Sequence, residues 1–173
     1  MRGFEEIDAI EAQYLSRTPG SEPQLWKSYD LLLDRWKGGT RDRETALRLL
    51  FLAWFSYAEA NWLTGLRGAP IDLFRELYQF LDVESTDDEE LCFVLRVMIN
   101  VRDDFLCSDW DLSRLSDRVL ERLENREFRV TPEQFEGRGV FGEYFAHQVR
   151  GGSAHAPKPP PAPKIILPGR SDA

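Results

Sequence analysis

The feature that most constrains this chain is an apolar stretch, Leu49–Ala58, interrupted only by Ser56 and closed by Glu59. It lies in a segment of helical character that we expect to run from about Thr40 to Thr64, with Gly65 suited to end it. A helix that is apolar on nearly every face is normally surrounded by other helices. The stretch is too short to span a bilayer. The sequence therefore predicts a central, buried helix.

Helical periodicity also dominates the rest of the chain, and strand-like alternation is nearly absent. We predict an all-α fold in which residues 1–150 form a single irregular bundle of six or seven helices around the central apolar helix. The other helices are expected near Phe4–Tyr14, from Ser21 to Trp36 with Leu25/Trp26 in its apolar stripe, from Pro70 to Leu81, from Ser85 to Ile99, over Leu112–Leu123, as one turn after Thr131, and over Val140–Val149.

Three helix starts carry a Ser or Thr with Gln or Glu three residues later, the pattern of a capping box. Each pair satisfies two backbone N–H groups that the first helical turn leaves without partners. The pairs are Ser21 with Gln24, Thr86 with Glu89, and Thr131 with Gln134.

The last segment, residues 151–173, has a different composition, with six prolines between Pro157 and Pro168. Polyproline conformation or disorder is expected there. Pro157 with Pro160, and Pro160 with Pro163, match the P-x-x-P pattern that aromatic grooves bind. The simpler interpretation is a solubilising or spacing tail.

The formal net charge is -8, but residues 150–173 carry +3, which leaves -11 on the body. A body of this charge repels nucleic acid and favours a protein partner with a basic surface. Six carboxylates fall within nine residues, more than helix capping requires. We predict that this acidic run is the partner-binding surface; it comprises Asp82, Glu84, Asp87, Asp88, Glu89 and Glu90.

Candidate catalytic residues are few. Glu59 follows the apolar stretch, Asn61 lies near it, and His147 has Glu143 four residues earlier. These residues define a possible cleft, but the favoured interpretation of Glu59 is an ion pair or hydrogen bond with an arginine of another helix, such as Arg96 or Arg102. Because the spacings typical of metal and nucleophile sites do not occur, we assign no catalytic residue, no metal and no cofactor.

The string Gly137-Arg138-Gly139-Val140-Phe141-Gly142 matches the dinucleotide-binding G-x-G-x-x-G. That motif needs a preceding strand and a βαβ unit, and neither is predicted. We interpret the glycines as a break between helices. Asp109-Trp110-Asp111 resembles the start of a calcium loop, but Arg114 and Leu120 occupy positions that require Gly and Glu.

Cys92 and Cys107 are expected to be buried free thiols in a reducing compartment. The first residues lack the apolar stretch of a signal peptide, so a cytoplasmic location is expected.

Three functional hypotheses follow. The first is a non-enzymatic protein-binding module whose acidic surface recognises a basic partner, for example an inhibitor or immunity-type protein. The second is a small enzyme with a cleft near Glu59, Asn61 and His147. The third is a scaffold element that binds through its proline-rich tail.

Overall fold

A computed structural model describes residues 3–18, 20–101, 110–124 and 126–151 of the chain. Within these ranges all regular structure is helical and there is no strand, which confirms the predicted all-α bundle. The predictions made for Arg102, Cys107, Asp109 and residues 152–173 lie outside the described residues. The helices are α1 (Phe4–Leu15), α2 (Leu25–Lys37), α3 (Arg43–Ala58), α4 (Asn61–Thr64), α5 (Ile71–Phe80), α6 (Glu89–Val101), α7 (Trp110–Leu123) and α8 (Gly139–Arg150), with a 3-10 turn at Pro132–Phe135.

The central position of α3 is confirmed. All residues from Thr45 to Phe55 are buried, and the helix packs against α2, α5, α6 and α8. The Trp54 indole donates a hydrogen bond of 3.1 Å to the Met98 carbonyl and so ties α3 to α6. The apolar stretch therefore acts as the axis of the bundle.

The predicted bounds of the central helix, Thr40–Thr64, are wrong at both ends. Asp42 caps the start of α3 by accepting a 2.8 Å hydrogen bond from the Thr45 N–H. At the other end Glu59 is extended, with φ -121° and ψ 149°, and α4 follows as a separate turn.

The break after Ala58 accompanies hydrogen bonds that fold the following segment back on α3. The Tyr57 hydroxyl donates to the Ala69 carbonyl at 2.5 Å, and the Ser56 hydroxyl accepts from the Ala69 N–H at 3.3 Å. Apolar residues continue through the break at helical spacing, so periodicity does not reveal it.

Two of the predicted N-caps are wrong. The Ser21 hydroxyl donates to the Thr18 carbonyl at 2.8 Å, and α2 begins only at Leu25. At α6 the cap is Asp88, whose carboxylate accepts from the Leu91 N–H at 2.8 Å.

The third cap is in place. The Thr131 N–H donates to the Gln134 side chain at 3.0 Å, as a capping box requires. It opens a single 3-10 turn, as the glycines that follow predict.

A buried ion pair joins α1, α3 and α8. Glu11 and Arg48 are 1% and 2% exposed, and the Glu11 carboxylate lies 2.7 Å from the Arg48 guanidinium. The same carboxylate accepts hydrogen bonds from the Ser28 hydroxyl and, at 2.8 Å, from the Val140 N–H. Arg48 also contacts Asp8 at 2.7 Å. A carboxylate thus occupies the positive N-terminus of α8.

The G-x-G-x-x-G string is explained by this arrangement. Gly139 has φ +58°, and a Cβ there would overlap the Glu11 carboxylate. Gly137 also has positive φ, and a Cβ on Gly142 would overlap the Phe135 carbonyl. Residues 136–138 make the predicted break between the 3-10 turn and α8, and the rest of the string is the first turn of α8, whose N-terminus binds the Glu11 side chain of the same protein.

Candidate functional site

The acidic run lies next to arginines from three other parts of the chain. Four of its six carboxylates form ion pairs with arginines that are distant in sequence. The pairs are Arg43 with Asp88 (2.8 Å) and Glu90 (3.4 Å), Arg138 with Glu90 (2.7 Å), Arg118 with Glu84 (2.8 Å), and Arg126 with Asp87 (3.3 Å). Much of the negative charge predicted for a partner is therefore compensated within the protein.

An arginine side chain of α7 also contacts the backbone of the segment that carries the acidic run. Arg122 donates to the carbonyls of Thr86 at 2.6 Å and Val83 at 2.9 Å. Asp82, with φ +50°, accepts a hydrogen bond from the Ser85 hydroxyl and shapes the turn after α5. The segment of the acidic run therefore helps to hold α7 against the bundle.

All three residues of the possible cleft are exposed. Glu59 is exposed where α3 ends, and His147 is exposed in the last turn of α8, whereas Asn61 lines a groove described below. The predicted partner Arg96 instead donates to the carbonyls of Leu123 at 2.9 Å and Arg126 at 3.2 Å.

The environment of Glu59 includes a tyrosine of α8. Burial, and to a smaller extent the Glu59 carboxylate, raise the pKa of Tyr144 to about 12. The hydroxyl of Tyr144 therefore keeps its proton to a higher pH than an ordinary tyrosine does.

A groove of about 690 Å³ runs between α2 and the segment from α4 to Pro70. Trp26 and Trp62 stand on it with 42% and 72% of their surface exposed. Three aromatic residues and two prolines line it, beside the carboxylates of Glu22 and Asp30 and the guanidinium of Arg67. The other lining residues are Leu33, Asn61, Gly65, Leu66 and Gly68.

A second cavity adjoins the groove. It has about 580 Å³, and Trp62, Glu22 and Pro23 line both spaces. The exposed Trp62 side chain therefore forms a ridge between the groove and the second cavity. Leu15 and Arg17 line the second cavity. An elongated ligand could contact both depressions across this ridge.

The ridge is held in place by α1. The Tyr14 hydroxyl and the Arg17 guanidinium donate to the Leu63 carbonyl at 3.3 and 3.1 Å, next to Trp62. Arg17 also stacks on the Tyr14 ring, 3.8 Å from its centroid. Hydrogen bonds from two side chains to one carbonyl fix the orientation of α4.

The floor of the groove is equally constrained. Gly65 ends α4 with φ +75°, and a Cβ on it would lie 2.5 Å from the Pro23 carbonyl oxygen and 3.2 Å from Trp26. The buried Thr64 hydroxyl accepts a 3.1 Å hydrogen bond from the Leu66 N–H. Only glycine permits this approach of the two walls.

Tyr29 brings a hydrogen-bond donor to the groove. Burial, followed by the neighbouring Asp30 carboxylate, raises the pKa of the Tyr29 hydroxyl, which stays protonated and can donate a hydrogen bond. In the part of the chain that the structure describes, no three His, Cys, Asp or Glu side chains are grouped to hold a metal ion. Over the same residues, no helix combines the length and apolar character needed to cross a membrane.

Comparison with known proteins leaves the site to be interpreted from its geometry alone. The chain matches no known protein family, no curated protein and no solved structure.

The groove was not predicted from the sequence. Trp26 was assigned to the apolar stripe of its helix, next to the fully buried Leu25, yet it is half exposed. Trp62 was included in a continuous central helix that in fact ends at Ala58. The available signal was the polar setting of Trp62, between Glu59-Ala60-Asn61 and the Gly65 stop.

Proposed function

We propose that this protein is a non-enzymatic protein-binding module that recognises an extended, basic, proline-containing segment of its partner in the groove beside Trp26 and Trp62. The observation that carries the proposal is the exposure of two tryptophans over adjoining depressions. Tryptophan is costly to leave in water and is enriched among the residues that dominate binding energy.

The lining of the groove supports a ligand of this chemistry. Proline in polyproline conformation is already extended, and aromatic side chains recognise it at small entropic cost. Glu22 and Asp30 line the same groove with one guanidinium, that of Arg67, so the lining keeps a net negative charge that attracts lysine or arginine. The net charge of -11 on residues 1–149 adds a long-range attraction for a basic chain.

We prefer the groove to the acidic run as the contact surface. Arginines of the same protein already pair with four carboxylates of the run. A partner that replaces these exposed ion pairs with its own gains little net binding free energy. The run still contributes to attraction at a distance. An inhibitor of a basic protein remains one member of this class, and a cytoplasmic location remains the expectation.

The proposal is tested by titrating the ¹⁵N-labelled protein with a 12-residue peptide of four Lys-Pro-Pro repeats and following the tryptophan indole N–H signals by NMR. The signals of Trp26 and Trp62 should move, whereas those of the buried Trp36 and Trp54 should not. Matched peptides of Glu-Pro-Pro and Lys-Ala-Ala repeats should bind several-fold more weakly. Equal binding of all three peptides, or shifts confined to other residues, would refute the proposal.

A further inference from the structure

Helix α8, the last element of the described chain, ends at the same end of the bundle as α3. Helix α8 runs in the same direction as α3, because Glu11 binds both the Val140 N–H and Arg48, while Tyr144, further along α8, contacts Phe55 at a centroid distance of 5.8 Å. Both helices therefore end at the same end of the bundle. The segment that follows α3 there carries Trp62 and one wall of the groove.

The residues that follow α8 have the chemistry that the groove fits. Residues 156–164 read Ala-Pro-Lys-Pro-Pro-Pro-Ala-Pro-Lys, which combines prolines at P-x-x-P spacing with two lysines. Residues 150–173 carry +3 against -11 on the body, so the two parts attract each other.

The residues between α8 and the proline segment set how far that segment can reach. The five residues from Gly152 to Ala156 span up to about 17 Å when extended. From Tyr144, whose ring contacts both Phe51 and Phe55, α8 continues for six residues, or about 9 Å, in the direction in which α3 ends. In polyproline geometry Lys158 and Lys164 lie about 19 Å apart, so they can face carboxylates at separate points along the groove.

Resting on the function proposed above, we infer that the chain's own segment 156–164 binds in the groove of the same molecule and competes with the partner. The prolines pack against Trp26 and Trp62, and the lysines face Glu22 and Asp30. A tethered segment has an effective concentration in the millimolar range, so even weak binding occupies the groove for much of the time. A partner must displace it, which makes the groove self-inhibited.

The test compares two full-length chains, the natural one and a Lys158→Glu/Lys164→Glu variant, for binding of a fluorescein-labelled peptide with the sequence of residues 156–164. The dissociation constant of the peptide, measured by fluorescence anisotropy, should be at least about fivefold lower for the variant, because the variant's own segment no longer competes. Arg170→Glu changes a charge outside the proline segment and should behave like the natural chain. In the natural chain the indole signals of Trp26 and Trp62 should not depend on protein concentration.

The outcomes separate the two proposals. Equal, measurable affinity of the peptide for both chains would overturn the inference and leave the groove as a binding site. Indole signals that move with protein concentration would overturn binding within one molecule in favour of binding to a second copy. Failure of both this peptide and the Lys-Pro-Pro peptide to bind either chain would overturn the proposed function as well.

Discussion

Glu11 shows how one residue organises several helices. Its carboxylate pairs with Arg48 of α3, accepts a hydrogen bond from Ser28 of α2, and receives the Val140 N–H at the start of α8. A buried charge pair stabilises a fold only weakly against an apolar alternative, but losing one partner is strongly destabilising. The network therefore specifies how α1 and α8 meet.

Gly139 is the residue that this network most restricts. Gly139→Ala places a Cβ against the Glu11 carboxylate, whereas Gly137→Ala, at a similar positive φ, meets open space. The Gly137 variant should lose about 1–2 kcal/mol of unfolding free energy from backbone strain. The Gly139 variant should lose at least about 2 kcal/mol more, because the buried ion pair must shift.

Urea unfolding of the two glycine variants measures this difference. Equal destabilisation of the two variants would show that the Glu11 carboxylate does not lie against α8.

Tyr144 makes the stability of the fold depend on pH in the alkaline range. Its pKa is raised to about 12, first by burial and then by Glu59, while an unfolded tyrosine titrates near 10. Above pH 10 the unfolded chain loses this proton before the folded chain does. The contribution of the protonated Tyr144 hydroxyl to the free energy of unfolding is therefore fully present below pH 10 and is lost as the pH rises toward 12.

Between pH 9 and 11.5 the natural protein should lose more unfolding free energy than Tyr144→Phe, measured by denaturant titration at each pH. Glu59→Gln should lower the pKa of Tyr144 slightly, as followed by tyrosinate absorbance. Identical pH profiles for the natural chain and Tyr144→Phe would contradict the burial of this hydroxyl.

The buried pair was beyond sequence-based prediction for a physical reason. Arg48 lies between Leu47 and Leu49, and Glu11 lies 37 residues earlier, in a helix whose packing partner periodicity does not reveal. Glu59 was a candidate for a cleft or an ion pair because it closes the apolar stretch. It lies at the end of α3, however, where its carboxylate has access to solvent. A charge inside an apolar stretch signals burial better than a charge at its edge.

At the scale of elements, α6 shows how nearby candidates compete for one capping position. Asp88→Ala should cost about 1–2 kcal/mol, because the Leu91 N–H loses its acceptor and Arg43 loses an ion pair. Thr86→Ala should cost less than about 1 kcal/mol, since Thr86 accepts only a 3.2 Å hydrogen bond from the Asp88 N–H. Thermal unfolding of both variants measures this, and a larger loss for Thr86→Ala would restore Thr86 as the cap.

Element type was predictable where element ends were not. The apolar stripes of α2, α5, α6 and α7 lie at helical spacing, and each helix forms near its predicted position. The ends depend on single hydrogen bonds, such as those from Tyr57 and Ala69 that accompany the break after Ala58. Such bonds join residues more than ten positions apart, so local sequence patterns do not encode them visibly.

At the scale of the molecule, the bundle followed from one buried helix and several amphipathic ones. Four carboxylates of the acidic run pair with arginines that come from α3 (Arg43), α7 (Arg118), the segment after α7 (Arg126) and the start of α8 (Arg138), an arrangement that the sequence did not predict. The groove depends on the same kind of long-range arrangement. Its two tryptophans lie 36 residues apart and meet only when α4 packs beside α2.

The affinity of Trp62→Ala for the Lys-Pro-Pro peptide tests the binding role of the groove most directly. Phe80→Ala is the control, since Phe80 is as exposed as Trp26, at 42%, and lies at the far end of α5 from Pro70. We expect Trp62→Ala to bind at least about tenfold more weakly, with its unfolding midpoint within a few degrees of the natural protein, because Trp62 is 72% exposed. Phe80→Ala should retain the natural affinity. Unchanged affinity in Trp62→Ala would contradict a binding role for the groove.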